Sequence, residues 1–169
     1  TGGVIASKRT FGPGRFEIQT RIPSIPGAAY AFWGYLNQTI DGKKCYNEID
    51  FEFPVYSYYE ANEIKTYSFD KAYISTYTDD ASSSNKSTKY PNLISSIADG
   101  EYHTLTFDWI YSEAHQQVAY YIDNNYIGVN TTNVSPYDFH VWIGTWVSGN
   151  AYNFGLPNFD KAYMDVKYF

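Results

Sequence analysis

Residues 47–53 read Asn-Glu-Ile-Asp-Phe-Glu-Phe. Side chains alternate along a β-strand, so Glu48, Asp50 and Glu52 share one face while Ile49, Phe51 and Phe53 share the other. Same-face neighbours on a strand are only about 6.6 Å apart at Cα, so three acids in a row repel one another. Acids are also poor strand formers. A purely structural strand has little reason to carry them. Glycoside hydrolysis does have one, because it needs an ionised carboxylate and a protonated carboxylic acid flanking the scissile bond. Glu48 and Glu52 lie about 13 Å apart at Cα on a flat strand. Inward-leaning side chains on a curved sheet bring the carboxyls toward the roughly 5 to 5.5 Å that a retaining mechanism uses. Asp50 between them adds negative potential, and mutual repulsion raises one pKa so that the acid keeps its proton. The bland alternative is a solvated acidic face of an amphipathic strand, and spacing by itself leaves it open.

The surroundings predict how this strand is held. Short alternating segments separated by Gly, Pro, Asn and Asp indicate an all-β sandwich. In 15–22, Phe16, Ile18, Thr20 and Ile22 face one way and Glu17, Gln19 and Arg21 the other, and Pro23, Pro26 and Gly27 end the strand. Further strands are predicted over 29–36, 46–53, 102–109, 118–122, 126–129, 139–146 and 162–169. Asp123, Asn124 and Asn125 form the turn of a hairpin. The Ser- and Asn-rich stretch 79–89 reads as a loop. No segment shows helical periodicity over ten or more residues.

Composition narrows the partners. The chain has 169 residues, enough for one domain with a sizeable core. Aromatic residues make up 20%, which suits either a packed β core or a surface that stacks on sugars. A net charge of −6 argues against nucleic acid or anionic lipid as the main partner and fits a neutral substrate. No stretch is apolar enough to span a membrane. The single cysteine, Cys45, follows Lys43 and Lys44, but no Cys–His arrangement accompanies it. Sequons at Asn37, Asn85, Asn130 and Asn133 are compatible with a secreted protein.

The acid strand resembles the E-I-D-x-E signature of glycoside hydrolase family 16, which includes lichenases, laminarinases and xyloglucan endotransglycosylases. Phe11-Gly12-Pro13-Gly14-Arg15-Phe16-Glu17 is similar to that family's F-G-Y-G-R-F-E strand. Ala31-Phe32-Trp33 looks like its A-F-W strand, and residues 102–109, Tyr-His-Thr-Leu-Thr-Phe-Asp-Trp, are similar to Y-H-T-Y-T-F-D-W. Tyr121-Ile122-Asp123 resembles its Y-V-D hairpin, and 157–166 its closing segment. Order and spacing agree over nearly the whole chain, which displaces the solvated-face alternative.

The resemblance implies one catalytic domain over 1–169: a concanavalin A-like jelly roll of two curved antiparallel sheets with a cleft on the concave face. It implies Glu48 as nucleophile, Glu52 as general acid/base and Asp50 as their electrostatic helper, in retaining endo-hydrolysis of a β-linked polysaccharide. A transglycosylase would share the triad, whereas a lectin-like module is disfavoured by the intact Glu-x-Asp-x-Glu. Secretion and a monomeric state are expected. No cofactor is required. Some relatives carry a structural calcium on the convex side, and the sequence shows no ligand cluster for one. Trp146 falls where the family keeps a cleft tryptophan. Alternation puts Trp142, Gly144 and Trp146 on one face, with the glycine leaving room for a sugar between two rings. Trp33 is a further substrate-binding candidate, with a core role as its alternative. Trp109 reads as core, and His103 as a structural histidine. The regular Glu-x-Asp-x-Glu, without the extra residue that a bulge would insert, resembles the branch acting on β-1,4 or mixed 1,3/1,4 glucans. Two departures stand against the family pattern: Phe53-Pro54 replaces its Phe-Leu-Gly, and only ten residues precede Phe11, so the usual N-terminal strands are expected to be missing.

Overall fold

The computed structural model describes residues 2–55, 57–60, 63–66, 72–78, 88–90, 97–147, 156–157 and 159–169, with backbone alone for 57–60, 63–66 and 88–90. Two antiparallel sheets face each other. The six-stranded sheet runs in the order β1-β12-β3-β4-β7-β8 and the five-stranded sheet in the order β11-β10-β9-β2-β13. In the first sheet the strands are β1 (Gly3–Phe11), β3 (Ala28–Ile40), β4 (Lys43–Pro54), β7 (Ala72–Tyr77), β8 (Thr88–Tyr90) and β12 (Phe139–Val147). In the second they are β2 (Gly14–Arg21), β9 (His103–Tyr111), β10 (Gln116–Ile122), β11 (Asn125–Asn130) and β13 (Asp165–Tyr168). A short hairpin of β5 (Ser57–Glu60) and β6 (Glu63–Thr66) stands apart. Neighbours in each sheet are often distant in sequence, the signature of a jelly roll.

The expected strands are all present, and the structure adds β1, β5, β6, β7 and β8, which alternation did not predict. Residues 3–11, ahead of the FGPGRFE segment, form β1, which pairs with β12 and shifts register between Ala6 and Thr10. The predicted loop 79–89 lies outside the described residues except for 88 and 89, which begin β8. β3 and β4 also run on past their expected limits to meet at Asp41 and Gly42, both with positive φ (51° and 76°). The β10–β11 hairpin turns the same way through Asp123 and Asn124 (φ 50° and 64°).

The core lies where the alternation put it. Ile49, Phe51 and Phe53 of β4 are fully buried, as are Phe107 of β9 and Phe32 of β3. Phe107 links the sheets: it stacks on Phe16 at 5.0 Å within its own sheet and meets Phe32 of the other at 4.9 Å. Each such ring buried contributes roughly 1.5–3 kcal/mol. Trp109 is core as expected, stacked on Phe139 at 4.8 Å. Gly34 is required here, since a Cβ would lie 2.5 Å from the Phe139 ring. Tyr120 is buried as well, and its hydroxyl donates to the Ser75 carbonyl at 3.1 Å across the sandwich. Cys45 is part of this interior.

Of the sequon asparagines, Asn37 is exposed and Asn133 half-buried, while Asn85 lies outside the described residues. Asn130 is fully buried, so the folded chain cannot accept a glycan there. Among the described residues no helix is long and apolar enough to cross a membrane.

Candidate active site

The outer face of the six-stranded sheet is a lattice whose rows follow from strand register, because paired residues in antiparallel strands point the same way. Glu48 lies between Tyr35 of β3 and Tyr77 of β7, with His140 of β12 beyond Tyr35. Asp50 lies between Trp33 and Ser75, with Trp142 beyond Trp33. Glu52 lies between Ala31 and Tyr73, with Gly144 and then Val4 beyond Ala31. Trp146 belongs to the next row, opposite Ala29. The register of β4 with β3 is continuous from Pro54 to Lys43, so the acid strand carries no bulge.

These rows enclose a cleft of about 420 Å³ lined by Val4, Ala31, Trp33, Glu48, Asp50, Glu52, Tyr77 and Trp146. All three carboxylates therefore open onto one space. Small side chains beside Glu52 keep the floor low, and Trp33 and Trp146 stand in the rows on either side of it. Trp33 is a cleft residue rather than a core one. Trp142 is not in the lining: its ring stacks on Trp33 at 5.8 Å and 20°. The room expected at Gly144 is also taken. A Cβ there would lie 2.6 Å from the Gly3 carbonyl oxygen and 2.9 Å from Val4 Cγ2, so the glycine admits β1 rather than a sugar. Sequence reasoning missed Val4 and Tyr77. Neither sits in a recognisable motif, and strand pairing alone brings them to the cleft.

Burial and repulsion differentiate the acids. The Tyr46 hydroxyl donates to Glu48 Oε2. Burial raises the Glu48 carboxyl above its ordinary range, and this hydrogen bond offsets only part of the rise. Burial, followed by the charges of Glu48 and Glu52, raises Asp50 well above the usual carboxylate range. Burial, then the charge of Glu48, pushes Glu52 up to about 7. A donor favours charge on Glu48, while Glu52, pushed up to about 7, keeps its proton near neutrality. One carboxylate and one carboxylic acid facing a common cleft can perform nucleophilic and general acid chemistry at an acetal carbon.

His103 is structural. Burial disfavours its charged form, but bonds to Asp123 Oδ2 (2.6 Å) and Asp99 Oδ1 (3.1 Å) outweigh that, and its pKa is raised. Among the described residues no group of three or more His, Cys, Asp or Glu is arranged to hold a metal ion.

Solved structures share this fold. A Bacillus licheniformis β-glucanase superposes with a TM-score of 0.70 at 20% identity, over 95% of this chain and 66% of that one. A prokaryotic β-1,3-1,4-glucanase (lichenase) from a mouse hindgut metagenome gives 0.67 at 18% identity, over 92% and 63%. The Crh5 transglycosylase in complex with NAG gives 0.70 at 17% identity, over 98% and 66%. The chain thus spans just under two thirds of the length of these proteins. No curated relative matches it. The model for glycosyl hydrolases family 16 matches residues 1–168, and the chain therefore belongs to that family.

Proposed function

We propose that this chain is a retaining, endo-acting glycoside hydrolase that cleaves a β-linked polysaccharide by double displacement. The observation that carries this reading is the set of three carboxyls opening onto one cleft, with the Tyr46 hydroxyl donating to Glu48 and Glu52 raised by burial and by the charge of Glu48. In the first step the Glu48 carboxylate attacks the anomeric carbon, the glycosidic C–O bond breaks, and Glu52 gives its proton to the departing oxygen. In the second, Glu52 takes a proton from water, the water oxygen attacks the same carbon, and Glu48 is released. Asp50 is itself raised by burial and by both glutamates, so the charge that holds the proton on Glu52 is that of Glu48. Trp33 and Trp146 offer ring faces to the apolar sides of pyranoses.

The unbulged β4 supports a β-glucan with 1,4 or mixed 1,3/1,4 linkage as substrate, and the net negative charge suits a neutral polymer. An extracellular setting is part of this reading, and exposed Asn37 is compatible with it. Transglycosylation is a second reading with its own support, since the Crh5 transglycosylase matches the fold as well as the β-glucanase does. The test is to incubate the protein with lichenan, xyloglucan, laminarin and agarose and to follow the newborn products by proton NMR. Oligosaccharides from lichenan or xyloglucan, appearing first as the β-anomer, are expected. An α-anomer first would overturn retention, and products from laminarin or agarose alone would overturn the linkage. Products longer than the substrate would favour transfer over hydrolysis.

A further inference from the structure

Glu48 needs a source of stabilisation for its charge, and among the described residues that pair with it no cation is found. The titratable groups facing it are Tyr46, Asp50 and Glu52 on its own strand, Tyr35 from β3, Tyr77 from β7 and, beyond Tyr35, His140 from β12. Among the described residues none of these is Arg or Lys, and Lys44, on the same face of β4, is exposed and four residues away, about 13 Å along the strand. His140 is directed elsewhere, with Nδ1 2.9 Å from the Ser7 carbonyl. Burial alone would protonate Glu48 and disable it.

Tyr46 lies two residues before Glu48 on β4 and therefore on the same face. It is only 5% exposed. Its ring sits edge-on to Tyr35 at 5.7 Å and 84°, and Tyr35 is the residue paired with Glu48 across the strands. The ring does not line the cleft, so it is not available for stacking on substrate. Its hydroxyl is placed on Glu48 Oε2.

We infer that Tyr46 is a positioning residue that holds the Glu48 carboxylate in one orientation and keeps it ionised, leaving Oε1 to attack. The inference rests on the reading of Glu48 as nucleophile. A phenol suits this task better than a cation. A positive charge acts over several ångströms and would lower Glu52 along with Glu48. A hydrogen bond acts at contact and so favours charge on Glu48 without drawing the proton from Glu52.

Tyr46→Phe keeps the ring and its contact with Tyr35 and removes only the donor. Two measurements test it. The first is a carbon-13 NMR titration of the Glu48 carboxyl in the parent and the variant, which does not depend on which residue attacks. Losing a hydrogen bond to a charged group should move that titration upward by about one pH unit or more. The second is the pH profile on whichever glucan the parent cleaves. The acidic limb of kcat/KM should move up by the same amount, and kcat should fall about 10- to 100-fold while KM changes little. An unmoved carboxyl titration would overturn the role of Tyr46 and leave the nucleophile assignment intact. A moved titration with an unmoved acidic limb would show that Tyr46 holds a carboxylate that is not the nucleophile, and both readings would fall together.

Discussion

The two outer faces of the sandwich treat their acids in opposite ways. On the five-stranded sheet, Arg15 Nη1 binds Asp108 at 3.1 Å and Arg15 Nη2 lies 3.8 Å from Glu17, which also accepts a 2.9 Å hydrogen bond from the Tyr168 hydroxyl. Arg21 Nε donates to Asp165 at 2.9 Å. These acids are partly exposed and paired across strands, an arrangement that stabilises a sheet surface modestly. On the six-stranded sheet Glu48, Asp50 and Glu52 face one another, are much more buried, and have no cation among the described residues. The same residue types thus support the fold on one face and burden it on the other. Such a burden persists where function requires it.

Neutralising the nucleophile should have the largest effect. Glu48→Gln keeps the shape and removes the attacking oxygen's charge, so turnover should fall at least about 1000-fold, on the order of 4 kcal/mol in barrier. The fold should survive, as circular dichroism would confirm. Substantial activity in the purified variant would place this acid with those of the other face.

The next effect is on stability. The folded pKa of Glu52 is raised from 4.5 to about 7. A carboxyl raised on folding favours the folded state fully below its unfolded pKa, and that advantage is lost as pH climbs toward the folded value. Stability owed to Glu52 should therefore decline between about pH 4.5 and 7. Glu52→Gln should remove that slope and leave a variant more stable than the parent at pH 8, by about 3 kcal/mol at most. Urea melts at pH 4.5 and 8 would read it, and equal slopes in parent and variant would contradict the burial argument. The same titration predicts that parent activity falls as pH rises through about 7.

A smaller effect concerns substrate. Trp146→Ala in the Glu48→Gln background should weaken oligosaccharide binding by roughly 1–3 kcal/mol by calorimetry, the scale of a lost stacked ring. Trp142→Phe should do less, because that ring supports Trp33 rather than lining the cleft. Equal losses would restore Trp142 to the substrate site.

The sequence made the acid strand legible because a period of two is unambiguous when one face is Ile-Phe-Phe and the other is Glu-Asp-Glu. The core followed for the same reason, from Phe16 to Trp109. What stayed hidden was lateral order. Nothing within 3–11 states that this strand will pair with 139–147, so neither Val4 in the cleft nor the filling of Gly144 was legible. The β3–β4 turn did carry a signal, Asp41-Gly42, a dipeptide suited to positive φ at both positions. Tyr46 was visible as a residue, but its hydrogen bond to Glu48 depends on a rotamer that alternation does not specify.

The smallest effect lies on the paired face. Arg15 and Asp108 sit directly opposite each other on β2 and β9, with side chains 49% and 26% exposed. Water already solvates both groups well, so pairing them gains little Coulomb energy and costs side-chain freedom. A double-mutant cycle of Arg15→Ala and Asp108→Ala should give a coupling energy below about 1 kcal/mol, shrinking further in 1 M salt. Arg15 also lies 5.7 Å from the Tyr121 ring, so the single Arg15 variant should lose slightly more than the cycle assigns to the ion pair. Catalytic parameters should not change in any of the three variants, since the sandwich interior separates this face from the cleft. A coupling of several kcal/mol, or a shift in the pH profile, would mean that the two faces communicate through the core, and the division between supporting and functional acids would then have to be redrawn.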